Sequence, residues 1–175
     1  MKTICSLFIV GSVVLISCQQ KPAPFTEEQK KQVADSAKQV VQYIITNANK
    51  LDFQTAMNVY SDDPDARYIE NGTIFNSLAD FRKAYVEFGP MLEMLEQIPD
   101  RWDIMVLSRD AAMITIPFHF KVRGKGLQEY NGQYLWSAVV QKRNGKWTLV
   151  HSHESWLNFA EAMAALTPPA PKEKK

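Results

Sequence analysis

The three histidines are the residues of this 175-residue chain whose type and spacing could do chemistry. His151 and His153 stand two positions apart in the stretch GKWTLVHSHESW, residues 145–156, and His119 precedes them. A free imidazole has a pKa of about 6.5, so it can carry a proton near neutral pH or bind a metal ion. Three hypotheses follow: a metal site, an acid–base site, or structural histidines in the wall of a sheet.

The turn before this stretch predicts which side chains share its face. If Asn144-Gly145 forms a two-residue hairpin loop, every pair of facing residues on the two strands is set. Glu154 then points to the opposite face, because side chains alternate along a strand. A loop with a bulge would shift the register by one residue and mix the two faces. On the simple register, the residues that share the histidine face are Tyr134, Trp136, Ala138, His151, His153 and Ser155.

A metal site requires more ligands than this strand supplies. The Cα atoms of His151 and His153 would lie about 7 Å apart, a separation that zinc could bridge. A catalytic zinc takes three protein ligands. His119 is offset from His153 by about 13 to 20 Å along the strands, too far for joint ligation. We therefore predict neither a metal ion nor a cofactor.

The first half of the chain is predicted to form helices, and these helices help to position the residues described above. Helix-start signals recur in the first half of the chain, where a capping residue precedes an apolar face of helical spacing. A small hairpin about Asn71-Gly72 separates the second predicted helix from the third. The start signals are Thr26 with Gln29, Asp52, Ser77 with Asp80, and, near the end of the chain, Asn158 with Glu161.

Strand patterns follow the helices. From residue 101 the apolar residues recur with period two, as is typical of strands. Pro117 lies inside the second of these strands, which suggests an edge or a bulge. The segment MLEMLEQ, residues 91–97, precedes the strands and is predicted as a core segment, with a pocket lid as the alternative. Three N-terminal helices on one antiparallel sheet, with a short C-terminal helix, define an α+β fold class.

This order of elements resembles the SnoaL-like branch of the nuclear transport factor 2-like superfamily. The resemblance covers residues 27–155 and is carried by SDDPDARYIENG, SRDAAMITI and the closing NGKWTLVHSHES. It implies a cone-shaped roll, in which a curved sheet wraps the helices and encloses an apolar pocket. It also implies a homodimer through the outer face of the sheet.

Such a fold hosts both enzymes and binding domains, so it does not assign a function by itself. We predict a pocket that binds a small apolar or amphipathic molecule, without established catalysis. The alternatives are an isomerase, cyclase or dehydratase that uses His153 as its catalytic residue, and a structural dimerising partner of an envelope complex. The predicted ligand-binding residues are His151, His153, Trp136, Tyr134, Ser155 and Tyr85. The resemblance also implies an acidic or tyrosine partner, for which no spacing selects among Asp52, Tyr60, Tyr68, Glu70 and Tyr85.

The N-terminus is typical of an export signal. A lysine precedes an apolar run at residues 4–16, which is shorter than the roughly 20 residues that span a membrane. The letters LISC, residues 15–18, resemble the bacterial lipobox, which implies cleavage before Cys18 and its lipidation. We expect a signal peptide at 1–17, the lipidated cysteine and a linker at 18–25, the SnoaL-like domain at 26–166, and a disordered tail at 167–175. Gln19 favours the outer membrane, with the domain facing the periplasm.

Charge and cysteine content exclude other classes. The chain has 20 basic and 19 acidic residues and no basic stripe, so nothing indicates a nucleic acid partner. Of the two cysteines, Cys5 falls in the predicted signal peptide and Cys18 is the predicted lipid anchor. The predicted mature chain therefore has no thiol left for a disulfide, and its fold must depend on its core.

We expect Cys18→Ser to move the protein from the membrane fraction to the soluble fraction, because acyl chains contribute about 0.8 kcal/mol per buried CH₂. Cell fractionation with a radiolabelled fatty acid measures both anchoring and lipidation. Cys5→Ser is the matched control and should keep the label. Retention of Cys18→Ser in the membrane would contradict the prediction.

Overall fold

The computed structural model describes residues 24–167. Cys18, the predicted signal peptide, most of the linker and the tail from residue 168 lie outside the described residues. The helices are α1 (Glu27–Ala48), α2 (Phe53–Ala56), α3 (Leu78–Phe88) and α4 (Phe159–Leu166), with 3-10 turns at Met57–Val59 and Gly89–Met91. The strands are β1 (Arg67–Glu70), β2 (Thr73–Phe75), β3 (Leu92–Pro99), β4 (Asp103–Ser108), β5 (Ala111–Gly124), β6 (Glu129–Arg143) and β7 (Lys146–Trp156). Within residues 24–167, no helix has the length and apolar character needed to cross a membrane.

Local capping explains where the first three helices begin. Thr26 and Gln29 form the predicted capping box at the start of α1. The Asp52 side chain accepts a hydrogen bond from the backbone N–H of Thr55, and Ser77 caps α3 in the same way. These three predictions are confirmed. Each cap satisfies one backbone donor that has no partner within its helix.

The sheet is curved and mixed rather than purely antiparallel. Its strand order is β2-β1-β7-β6-β5-β3, and β4 also pairs with β5. All these pairs are antiparallel except β1–β7, which is parallel. The predicted α+β roll with helices on one sheet is confirmed, and the parallel pair is an addition that matters for the site.

Two local predictions were wrong. Residues 92–99 form a strand that pairs with β5, so the sheet begins before Pro99 rather than after it. The adjacent apolar residues of this segment hid its strand character, because they do not alternate strictly. Asn158 precedes α4 in the left-handed conformation, with φ of 58°, and its side chain makes no capping hydrogen bond.

Pro117 occupies the one junction of β5 that tolerates it. β3 pairs with β5 up to Phe118, and β4 takes over from Thr115. The backbone N–H of Asp100, between β3 and β4, donates to the Pro117 carbonyl at 2.9 Å. Since N–H and C=O of a strand residue point the same way, the missing N–H of proline faces the gap between two strands and leaves no ladder bond unmade.

An aromatic cluster joins α3 to the hairpin of β1 and β2. The Phe81 ring, 1% exposed, stacks on Tyr68 with centroids 4.9 Å apart and an interplanar angle of 23°. Phe75 and Tyr60 contact the same ring at 5.2 Å and 5.5 Å. These contacts set the position of α3 against the sheet, and therefore that of Tyr85 one turn later.

We expect Phe81→Ala to lower the free energy of unfolding by about 3 to 5 kcal/mol, because a buried aromatic ring is lost and a cavity remains. Val86→Ala on the same helix is the control, since Val86 is 44% exposed. Urea denaturation followed by circular dichroism measures both. Equal losses for the two variants would show that Phe81 does not hold α3 in place.

Candidate functional site

A cavity of about 330 Å³ lies between the concave face of the sheet and the helices. Most of its wall is apolar or aromatic, with contributions from α1, α3, α4 and the inner face of β5, β6 and β7. The residues at even positions 112–122 are buried and form the inner face of β5, in keeping with the period-two pattern of the sequence. The charged side chains that line the cavity are Glu70 and Glu154, and no lysine, arginine or histidine of residues 24–167 lines it.

A bulge in β7 decides which side chains enter this cavity. Asn144 and Gly145 form the predicted two-residue loop with φ of 51° and 78°, and Val140 faces Leu149 as expected. The next pair is Val139 with His151, so Val150 is an extra residue on β7. A bulge of one residue exchanges the two faces of the strand beyond it.

The predicted histidine face was therefore wrong. His151 faces Val139, His153 faces Ser137, and Ser155 faces Leu135, on the convex side of the sheet. None of these three residues lines the cavity, and His153 and Ser155 are exposed. Burial, and then His153, lower the pKa of His151. Three predicted binding residues do line the cavity, namely Tyr85, Tyr134 and Trp136.

His119 belongs to a separate surface cluster. Its Nδ1 lies 2.5 Å from Asp100 Oδ1, and its Nε2 lies 2.5 Å from the amide nitrogen of Gln133. The side chain is about half exposed. His119 therefore plays no part in the cavity.

Two carboxyl groups stand side by side in the cavity wall. The parallel register of β1 and β7 places Glu70 opposite Glu154. Adjacent strands lie about 4.8 Å apart, so the two side chains leave the sheet as neighbours on one face. Tyr85 donates its hydroxyl hydrogen bond to Glu70 Oε1, and the Trp156 indole N–H donates to Glu154 Oε1. These two donors come from α3 and from the end of β7.

Burial changes the protonation of this pair. It raises the pKa of Glu154 to about 7, against the opposing effect of the Trp156 hydrogen bond. Burial, and then the neighbouring Glu154, raise the pKa of Glu70 well above its usual range, whereas the Tyr85 hydrogen bond lowers it. Two carboxylates that share an apolar site cannot both ionise easily. The pair therefore holds a proton close to neutral pH.

Two tyrosines supply further donors at the same place. Burial, and then nearby carboxylates, raise the pKa of Tyr60 and Tyr134, so both stay protonated. Neither hydroxyl makes a hydrogen bond to another residue in the described part of the chain, and both side chains line the cavity. Each can donate to an oxygen atom of a bound molecule.

The turn after β1 locks the pair in place. The backbone N–H of Asn71 donates to the Glu154 carbonyl at 3.0 Å, and the Asn71 side-chain oxygen accepts from the Trp156 backbone N–H at 2.8 Å. Asn71 and Gly72 both have positive φ, as the predicted tight hairpin requires. This clamp holds the end of β7 against β1, where both carboxylates are attached.

Sequence comparison agrees with this architecture. A family model described as a SnoaL-like domain matches residues 37–158. The chain belongs to the SnoaL-like domain family. No curated protein sequence matches it.

Solved structures show the same fold as this SnoaL-like domain. A nuclear transport factor 2-like superfamily protein from Salmonella enterica aligns with TM-score 0.62 and 16% identity over 85% of this chain and 97% of that chain. A ketosteroid isomerase-like protein from Erwinia carotovora aligns with TM-score 0.62 and 13% identity over 71% and 96% of the two chains. A protein of unknown function from Shewanella oneidensis gives TM-score 0.55 and 21% identity over 69% and 97%. At these identities the likeness establishes the fold alone.

Sequence reasoning missed Glu154 and did not select Glu70. Glu70 and Tyr60 were among the residue types considered, but the simple hairpin register turned Glu154 away from the pocket. Trp156 was not assigned to the site. The sequence carries one signal of the bulge, the consecutive apolar residues Leu149 and Val150. In the structure both are buried. Two successive inward residues are typical of a bulge.

We expect the stability of the SnoaL-like domain to fall as pH rises above about 4.5, because both Glu70 and Glu154 hold protons in the folded state that the unfolded chain releases. The folded domain keeps the Glu154 proton up to pH of about 7, whereas the unfolded chain releases it near the usual value of 4.5. The difference corresponds to about 3 kcal/mol.

Glu154→Gln should make this slope shallower and raise the free energy of unfolding at pH 8, and Glu70 should account for the slope that remains. Glu87→Gln is the matched control, because Glu87 lies exposed on α3. Urea denaturation at pH 5 and pH 8 measures the effect. A slope in Glu154→Gln as steep as that of wild type would show that Glu154 does not contribute to it.

Proposed function

We propose that the cavity binds a small apolar or amphipathic molecule and that the Glu70–Glu154 pair moves a proton to and from it. The observation that supports this proposal is the placement of two adjacent carboxyl groups, the buried Glu154 and the half-buried Glu70, at the wall of an apolar cavity. An apolar pocket with a few convergent polar groups of altered pKa is the usual form of a binding or active site. The proposal does not use His153, which lies on the convex face.

A pair that shares one proton offers an acid and a base together. Near neutral pH the ionised carboxylate takes a proton from the bound molecule, and the protonated partner gives one back at a second position. Catalytic acids and bases work best when their pKa lies near the operating pH, and the pKa of Glu154 is about 7. Proton removal next to a carbonyl, followed by proton return, is isomerisation; with loss of a hydroxyl group it is dehydration.

The tyrosines complete this chemistry. The Tyr60 and Tyr134 hydroxyls can donate hydrogen bonds to an oxygen atom that becomes negative when a proton leaves the neighbouring carbon. Tyr85 positions Glu70 through its hydrogen bond, and Trp156 positions Glu154. The ketosteroid isomerase-like protein from Erwinia carotovora shares the fold, and its name agrees with this reaction class.

Two predictions about the surroundings of the domain stay predictions. We propose that the lipid on Cys18 anchors the domain in the bacterial envelope, on the periplasmic side. We also propose a homodimer through the convex face of the sheet. That face exposes Met105 and Leu135, which are 57% and 48% exposed in the single chain.

Nitrobenzisoxazole is a chromogenic probe of proton removal, so it can test the proposed proton transfer although the natural substrate is not known. A base removes the proton of its ring carbon, the N–O bond breaks, and a coloured nitrile-phenolate forms. We expect the purified protein to accelerate this ring opening with a rate that rises with pH around a midpoint near the Glu154 pKa of about 7. Glu154→Gln should lower kcat/KM about a hundredfold or more, because the base is lost.

Glu87→Gln is the control for this assay and should leave kcat/KM unchanged. Tyr85→Phe removes the hydrogen bond to Glu70 and should shift the midpoint of the pH profile rather than abolish the activity. A rate in wild type that does not exceed that of free acetate would contradict proton transfer in the cavity. So would an unchanged rate in Glu154→Gln.

A further inference from the structure

The ionisable charge that lines the cavity is of one sign, negative. Glu70 and Glu154 supply two acidic groups, and no basic side chain of residues 24–167 lines the wall. Buried acids in proteins are usually paired with a cation or a full set of donors. Here the nearest donors are the neutral hydroxyl of Tyr85 and the neutral indole of Trp156. A countercharge for the pair is missing from the described part of the chain.

The hydrogen-bonding capacity of the pair is also only half used. Each carboxyl group accepts a hydrogen bond at Oε1, and the Oε2 oxygens of Glu70 and Glu154 accept none from a donor of residues 24–167. Glu154 is 8% exposed and Glu70 is half-buried. The open acceptor positions belong to groups that line the cavity.

Aromatic rings surround the same carboxyl groups. Tyr60, Tyr85, Tyr134, Trp136 and Trp156 line the cavity together with them. The face of an aromatic ring attracts a cation, and the attraction grows when water is excluded. Acidic groups among aromatic faces are the combination that recognises an ammonium group.

We infer that the cavity selects an apolar molecule that bears an amine or a quaternary ammonium group, which lies against Glu70 and Glu154 and among the aromatic rings. This inference rests on the proposed function for its cavity and names the class of molecule that the cavity takes. The ammonium group supplies the countercharge and, in an amine, the N–H donors that the Oε2 oxygens lack. The apolar body of the molecule occupies the space between α1, α4 and the sheet.

Binding of such a cation is coupled to protons. A positive charge beside the pair favours ionised carboxylates, so binding expels the proton that the empty pair holds. The titratable groups that face the pair are Tyr60, Tyr85 and Tyr134, which stay neutral through this pH range. The lining residues of α1, α4 and β5 are not titratable. A bound cation would also leave a carboxylate ionised as a base below neutral pH.

Phenylbutylamine, phenylbutanol and phenylbutyrate test the inference, because they share one apolar body and carry a cationic, neutral or anionic head. We expect calorimetric titration of the full-length chain at pH 7 to show the amine binding at least about tenfold more tightly than the alcohol, with the carboxylate weakest. Titration in two buffers of different ionisation enthalpy should show proton release with the amine. The affinity for the amine should rise from pH 6 to pH 8.

Variants of the protein distinguish the contribution of the ligand's head group to affinity from that of its apolar body. Glu70→Gln with Glu154→Gln should remove the preference for the amine and retain binding of the alcohol, and Glu87→Gln should retain both. If the double variant does not fold, each single variant should reduce the proton release. Equal affinities of wild type for the amine and the alcohol would overturn the inference, and so would amine binding without proton release.

The ring-opening assay keeps the two proposals distinguishable. Equal binding of all three probes, with nitrobenzisoxazole activity retained, overturns the charge selectivity alone. A preference for the amine, with no ring-opening activity in wild type, supports the selectivity and contradicts proton transfer.

Discussion

The site depends on how β7 is held between two unlike neighbours. On one side it pairs antiparallel with β6, and on the other it pairs parallel with β1. The bulge at Val150 turns Glu154 inward, and the parallel register then brings Glu70 beside it. Neither feature alone would create the pair. Because side chains alternate along a strand, removal of one residue from β7 would replace the acid in the cavity by a histidine.

The carboxyl pair lowers the stability of the domain that holds it. Burial disfavours the charged form of both groups, so near neutral pH the folded state must either keep a proton or bear unfavourable charge. The rest of the core offsets this, notably the aromatic cluster about Phe81 and the fully buried inner face of β5. Strained or poorly solvated groups of this kind persist in proteins where a function requires them. The packing of α3 contributes to both stability and the site, since the helix places Phe81 in the core and Tyr85 beside Glu70.

The elements were largely predictable from sequence, because they depend on local signals. Three of the helix starts followed from a capping side chain, and both tight hairpins followed from Asn-Gly pairs that adopt positive φ. The site was not predictable to the same degree. It depends on a register shift of one residue in β7 and on the parallel pairing of β1 with β7, which over seventy residues separate in the chain. Local sequence patterns encode neither feature. Tyr85, Tyr134 and Trp136 were placed in the pocket from sequence, whereas His151, His153 and Ser155 were displaced by the bulge.

The fold permits many functions, and what limits them here is the electrostatics of the cavity. Two acids, three neutral tyrosines and no base among the lining residues disfavour an anionic ligand, since its charge would face another negative charge in a mainly apolar cavity. A neutral ligand can be accepted while the pair keeps its proton, and a cationic ligand can be accepted when the pair releases it. The protonation of Glu70 and Glu154 therefore links the two proposals, because the same proton that serves acid–base chemistry is the one that a bound cation displaces. A site built in this way recognises its ligand by charge as well as by shape.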